Sequence, residues 1–142
     1  MKFWDASAVV SLLAMQDSTQ LAESIFSADS SLSVWWGTPI ECASALNRLS
    51  REKKIDARGM AAAKARLHGL AGVWHEVQAT EALRESAEHL VYACNLRSGD
   101  AMQLAAAVAA SGDRPKALEL VCFDRRLARA AQKLGFRVIS TD

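Results

Sequence analysis

The sequence predicts an α/β domain with a central, mostly parallel sheet flanked by helices on both faces. Three observations point there. Short apolar or β-branched runs alternate with amphipathic helical patterns along the whole chain. The 142 residues suit one domain with its own core, and 51% of them are apolar. No repeat, linker or low-complexity segment interrupts the pattern, so residues 1–142 read as a single unit.

Taken in order, Met1-Lys2-Phe3-Trp4 is a short apolar strand that stops on Asp5. Val9, Val10, Leu12, Leu13 and Met15 then fit one helix face. An acid between strand and helix lies at the carboxyl edge of a sheet, where open α/β folds bind ligands. Asp is equally a favoured helix N-cap, so both readings of Asp5 stand at this point. A second helix is predicted from Thr19 to Ala28, burying Leu21, Ile25 and Phe26. Ser33-Val34-Trp35-Trp36 has the residue types of a strand. Thr38 suits a cap and Pro39 the first helical position, opening a helix that frays at Arg51 to Lys54.

Asp56 caps a further helix carrying Met60, Ala63, Leu67 and Leu70, which Gly72 ends. Val73 to Val77 alternates weakly as a strand, and Thr80 starts a helix reaching about Leu96. Arg97-Ser98-Gly99-Asp100 breaks that helix, and Ala101 to Ala110 forms an Ala-rich one. After the Gly112 to Pro115 loop, Ala117 to Phe123 is the clearest strand and ends on Asp124. A helix with Leu127, Ala130, Ala131 and Leu134 follows, Gly135 stops it, and Arg137 to Ser140 is a last strand.

Composition narrows the function classes. Net charge is +1, which provides no whole-molecule field for gripping a polyanion. The charge is uneven, however. Arg48, Arg51, Lys53, Lys54, Arg58, Lys64 and Arg66 form one basic segment; Arg114, Lys116, Arg125, Arg126, Arg129, Lys133 and Arg137 form another. These segments could frame an acidic centre, or simply be solvated helix faces. Cys42, Cys94 and Cys122 have neither a disulfide framework nor a zinc spacing, and fit free thiols in a reducing compartment. No secretory signal is recognisable, and the longest apolar run is too short for a bilayer. A cytoplasmic protein without a membrane segment is the expectation.

Four acids fall at equivalent places. Asp5 and Asp124 end strands and begin helices, Glu41 lies in a first helical turn, and Asp100 starts the Ala-rich helix. Separately, each gains from the helix dipole. Converged, they would repel, and burial without a counter-charge would raise their pKa values. A divalent cation relieves that repulsion, and hard oxygen ligands at a partly open site suit Mg²⁺ or Mn²⁺. Such a centre can activate water for displacement at phosphorus.

Met1 to Val10 resembles the opening motif of PIN-domain ribonucleases, and Thr38 to Leu46 is similar to their second acidic motif. Leu96 to Ala107 resembles the third, and Val121 to Ala131 with Leu134-Gly135-Phe136 the fourth. All four occur in order across nearly the whole chain, and the single-domain length is similar to VapC, the toxin of type II toxin–antitoxin pairs. The resemblance implies a Mg²⁺- or Mn²⁺-dependent endoribonuclease in which Asp5, Glu41, Asp100 and Asp124 hold the metal and position water. It implies cleavage of structured RNA such as tRNA or rRNA, leaving 5′-phosphate and 3′-hydroxyl ends. It also implies a homodimer and a cognate VapB-like antitoxin placing a peptide in the acidic groove. Cys122 departs from the family pattern, where Thr or Ser is frequent; a thiol is the poorer donor.

Ser7 could hydrogen-bond a carboxylate or phosphate, or be an ordinary helix residue. Arg48, Arg97 and Arg125 lie near the acids in sequence and are candidate phosphate contacts, with surface roles as the alternative. His68, His75 and His89 lack a ligand pattern. The competing function is a PIN-fold module that binds RNA or an antitoxin with little catalysis, which only Cys122 favours. A phosphorylation-controlled receiver domain or an Asp-x-Asp phosphatase is disfavoured because position 7 is Ser and no Lys ends a late strand.

Overall fold

Five short strands build the centre of the computed structural model, which describes residues 1–141. Strand β1 (Lys2–Trp4) is central, with β2 (Leu32–Trp35) and β3 (His75–Val77) on one side and β4 (Glu119–Val121) and β5 (Arg137–Ile139) on the other. Every pairing is parallel, so the expected mostly parallel sheet is wholly so.

Adjacent strand residues go to opposite layers, as the strand period of two requires. Phe3, Trp35, Leu120 and Cys122 face helices α5 (Glu81–Cys94), α6 (Ser98–Ala110) and α7 (Arg125–Leu134). Trp4, Val34 and Val121 face α1 (Ala6–Leu13), α2 (Thr19–Ala28), α3 (Thr38–Arg51) and α4 (Ala57–Ala71). The inner strands β1, β2 and β4 are covered on both faces and are mostly apolar, whereas the edge strands β3 and β5 are partly exposed and carry His75, Glu76 and Arg137. Among the described residues no helix is long and apolar enough to cross a membrane.

The order of the strands locates the site. The chain steps outward from β1 through β2 to β3, crosses back to β4, and steps outward again to β5. The reversal lies between β1 and β4, and crevices at such switch points, beyond the strand carboxyl ends, are where α/β sheets bind ligands. Asp5 and Asp124 sit just past those two strands, and the Asp5 amide donates to the Val121 carbonyl at 3.0 Å.

Four of the helix starts follow short polar residues that cap them. Asp5, Asp56, Thr80 and Asp124 each accept a backbone N–H from the first turn of the following helix. Thr38 does not. The helix already includes it, Gly37 occupies the cap position, and the Thr38 hydroxyl is buried toward α6. Gly37 is required for space, because a Cβ there would collide with the Trp35 indole. Helix α6 begins at Ser98, one turn before the expected Ala101, so Asp100 lies inside its first turn. Strand β4 is shorter than the predicted run because Pro115–Ala117 forms a 3₁₀ turn, although beyond its end the Cys122 amide still donates to Ile139 of β5 at 3.0 Å.

Candidate active site

Asp5 is 3% exposed, and Ser7 holds both oxygens of its carboxylate. The Ser7 amide donates to Oδ1 at 2.5 Å and the Ser7 hydroxyl donates to Oδ2 at 2.7 Å. That hydroxyl also accepts from the Phe123 amide at 2.9 Å, tying the end of β1 to the loop after β4. Burial is the main reason the Asp5 pKa rises from 3.8 to about 6, with the Asp124 charge adding to it.

Glu41 comes from the first turn of α3, where Pro39 pre-sets the helix. Its Oε2 accepts from Gln103 Nε2 at 3.0 Å. Burial raises its pKa to about 7, and Asp5 and Asp100 contribute by repulsion. Asp100 comes from the first turn of α6 and is half-buried. Its pKa is also raised, by burial first and then by Asp124, while Arg126 and Arg97 oppose the shift. Asp124 caps α7, accepting the Leu127 amide at 3.0 Å.

These interactions close a ring: Asp5 with Asp124, Asp124 with Asp100, Asp100 with Glu41, and Glu41 with Asp5. The acids come from four separate helix starts and line one cleft of about 1030 Å³. The cleft runs along α1 and α3 past Ser7, Val10 and Ala45 to Arg48 and Lys54. Seven residues along a helix is roughly 10 Å, which separates Glu41 from Arg48.

The donors are all carboxylate oxygens, and their charges oppose one another in a largely buried setting, so the chemistry of the set fits a hard divalent cation. Among the described residues no three His, Cys, Asp or Glu side chains are grouped to hold a metal ion as they stand. Three of the acids are instead tied to chain donors, at Ser7, Gln103 and Leu127. Each of the three can still offer oxygen lone pairs toward the cleft.

The remaining predicted residues separate. Ser7 and Arg48 line the cleft with the acids. Arg97 is exposed at the start of α6 and acts on Asp100 through its charge. Arg125 lines an adjoining smaller hollow with Arg129. Cys122 is fully buried beside Asp5; its thiol donates to the Asp124 carbonyl at 3.3 Å, and burial pushes its pKa well up. All three histidines are exposed and outside the cleft. Trp35 and Trp74 are buried, whereas Trp36 is half-exposed and stands edge-on to Trp35.

Gln103 and Arg126 also act on these acids, the first on Glu41 and the second on Asp100. A signal for Gln103 was present: it is the lone polar residue in an Ala/Leu run, one turn beyond Asp100 on the same helix face. Arg126 has no comparable signal beside Arg125.

No family model matches the chain. Two relatives from Mycobacterium tuberculosis strains, named Ribonuclease VapC45 and Ribonuclease VapC49, are each 32% identical to it over 137 residues. The match covers 96% of this chain and 92% of each relative.

Proposed function

Because this chain belongs to the VapC ribonuclease family, we propose that it is an endoribonuclease toxin with a PIN-like fold, dependent on Mg²⁺ or Mn²⁺. Its substrate in this reading is structured RNA such as tRNA or rRNA, and it acts in the cytoplasm. The observation that carries the reading is the convergence of the four acids in one cleft at the sheet's switch point.

Asp5, Glu41, Asp100 and Asp124 would hold the cation. Bound there, Mg²⁺ or Mn²⁺ supplies Lewis acidity and cancels charge that develops at phosphorus. The chain's own residues do the rest. Ser7 fixes the rotamer of Asp5 and couples it to the Asp124 loop through Phe123. Arg48 and Lys54 supply positive charge at the far end of the cleft for RNA phosphates, and Arg97 and Arg125 supply it at the rim. Water adds at phosphorus, the P–O3′ bond breaks, and the departing oxygen takes a proton, giving a 5′-phosphate and a 3′-hydroxyl.

A VapB-like antitoxin that inserts a cationic side chain among the four acids would neutralise the toxin, and the protein would act as a homodimer. A second reading, a PIN-fold module that binds RNA or antitoxin with weak catalysis, draws on Cys122, whose thiol stands beside Asp5 where a stronger donor is usual. Incubating the purified protein with bacterial RNA in Mn²⁺, Mg²⁺ or EDTA, beside Asp5→Ala, decides between them. Discrete cuts lost with EDTA and with the variant support the enzyme. No cuts from folded wild type in either metal favour the binding module, and cuts gained by Cys122→Thr would trace the deficit to the thiol.

A further inference from the structure

We propose that Gln103 is a positioning residue that holds Glu41 in its place in the cleft, an inference that rests on the metal-dependent ribonuclease reading above. Gln103 is 1% exposed on a helix whose other buried residues are Ala101, Leu104, Ala105, Ala106 and Ala107. Its Nε2 donates to Glu41 Oε2 at 3.0 Å and to Thr38 Oγ1 at 3.3 Å. The other end of the amide, Oε1, is buried with no hydrogen-bond partner among the described residues.

The orientation suits an ionised Glu41, which only accepts: the amide nitrogen faces the carboxylate, and the hydroxyl of Thr38 takes the second N–H. Turning the amide over would set oxygen against oxygen. The orphaned Oε1 is therefore the consequence of aiming both N–H groups at α3. A buried acceptor without a partner opposes folding, and an apolar side chain of similar length would avoid it. Local stability does not explain a glutamine here. What it touches does, because Glu41 is a long side chain reaching from one helical layer toward the other. Its Oε1 lies over Gly99 at the start of α6, where an added Cβ would stand 3.6 Å away. Gln103 fixes the second oxygen of the same carboxylate from the same helix.

The test is Gln103→Met, which keeps the bulk and removes the donor. Three quantities are measured: thermal midpoint without metal, Mn²⁺ binding by calorimetry, and steady-state RNA cleavage. Positioning predicts a midpoint equal to or above wild type, with Mn²⁺ affinity and kcat falling by roughly 10–100-fold, as for other residues that orient metal ligands. KM for RNA should stay unchanged. In a Glu41→Gln background, Gln103→Met should add no further loss. Thr38→Val, which leaves Gln103 but removes its second acceptor, should weaken Mn²⁺ binding less than Gln103→Met does.

A lowered midpoint with unchanged Mn²⁺ binding would make Gln103 a structural core residue and overturn the proposal. Further loss in the Glu41→Gln background would also overturn it, by placing the effect elsewhere. A wild type that neither binds Mn²⁺ nor cuts RNA would overturn the ribonuclease reading and this role together. An active wild type with an unaffected variant would overturn the role alone.

Discussion

The hydroxyl of Ser7 donates to Asp5 Oδ2 at 2.7 Å while accepting from the Phe123 amide, so one oxygen links the central strand's acid to the loop that carries Asp124. Ser7→Ala removes both bonds and leaves the Phe123 N–H without its partner. Unfolding by denaturant should show a loss of about 1–3 kcal/mol, the cost of stranding such a group. RNA cleavage should fall as well, because Asp5 loses its side-chain restraint. Retained stability with full activity would show that the bridge is dispensable.

Asp5→Asn separates stability from function. Asparagine caps helices about as well as aspartate, so α1 keeps its start. The substitution removes a buried charge that Asp124 repels. The thermal midpoint without metal should therefore equal or exceed that of wild type, while RNA cleavage disappears. A midpoint that falls by several degrees would mean that the charge stabilises the fold.

The same acids set a pH dependence. The pKa of Asp5 is raised from 3.8 to about 6 and that of Glu41 from 4.5 to about 7. Between about pH 4 and pH 7 the folded protein thus binds more protons than the unfolded chain, and stability falls as pH rises through that window. Asp29 acts in the opposite sense, but lower down. Its pKa is held near 2 by the N-terminal ammonium, so its contribution is lost only as pH falls below the usual carboxylate range. Melting of metal-free protein between pH 5 and pH 8 should show a declining midpoint, flatter in Asp5→Asn. Excess Mn²⁺ should restore more at pH 8 than at pH 5, since ionised acids bind it. A midpoint that rises across this window would contradict the shifts.

Arg48 lines the far end of the cleft, so in the ribonuclease reading its charge is placed to meet an RNA phosphate. Arg48→Ala should weaken RNA binding and reduce the slope of log affinity against log salt by about 0.7, the value for one phosphate contact to a single strand. Filter binding across a salt series with the Asp5→Asn protein measures this without cleavage. An unchanged slope would place the phosphates elsewhere.

Local chemistry is what the sequence makes legible. The caps Asp5, Asp56, Thr80 and Asp124 act within three residues; Asp5 and Asp56 read as caps, and Thr80 and Asp124 as the places where helices begin. Glycine at position 135 stops α7 with φ 105°, as its place after Leu134 suggests. Strand ends and helix starts placed the four acids at one sheet edge because the alternation of elements is regular. The cap expected at Thr38 is not made because its hydroxyl serves a glutamine 65 residues away instead of its own helix. The clamp of Arg66 on Glu23 and the Leu12 carbonyl, beneath the Phe26 ring, was equally invisible, since it joins α4 to α1 and α2 across more than 40 positions. Position 103 carried a clue, the lone polar side chain in an apolar run, but not its partner.

Mn²⁺ titration of wild type and of Asp5→Asn, Glu41→Gln, Asp100→Asn and Asp124→Asn, followed by calorimetry, tests most directly whether the four acids act as one centre. Wild type should bind saturably and each variant should lose affinity markedly, although the residues come from four different helices. Binding that survives every substitution, or its absence from folded wild type, would contradict it.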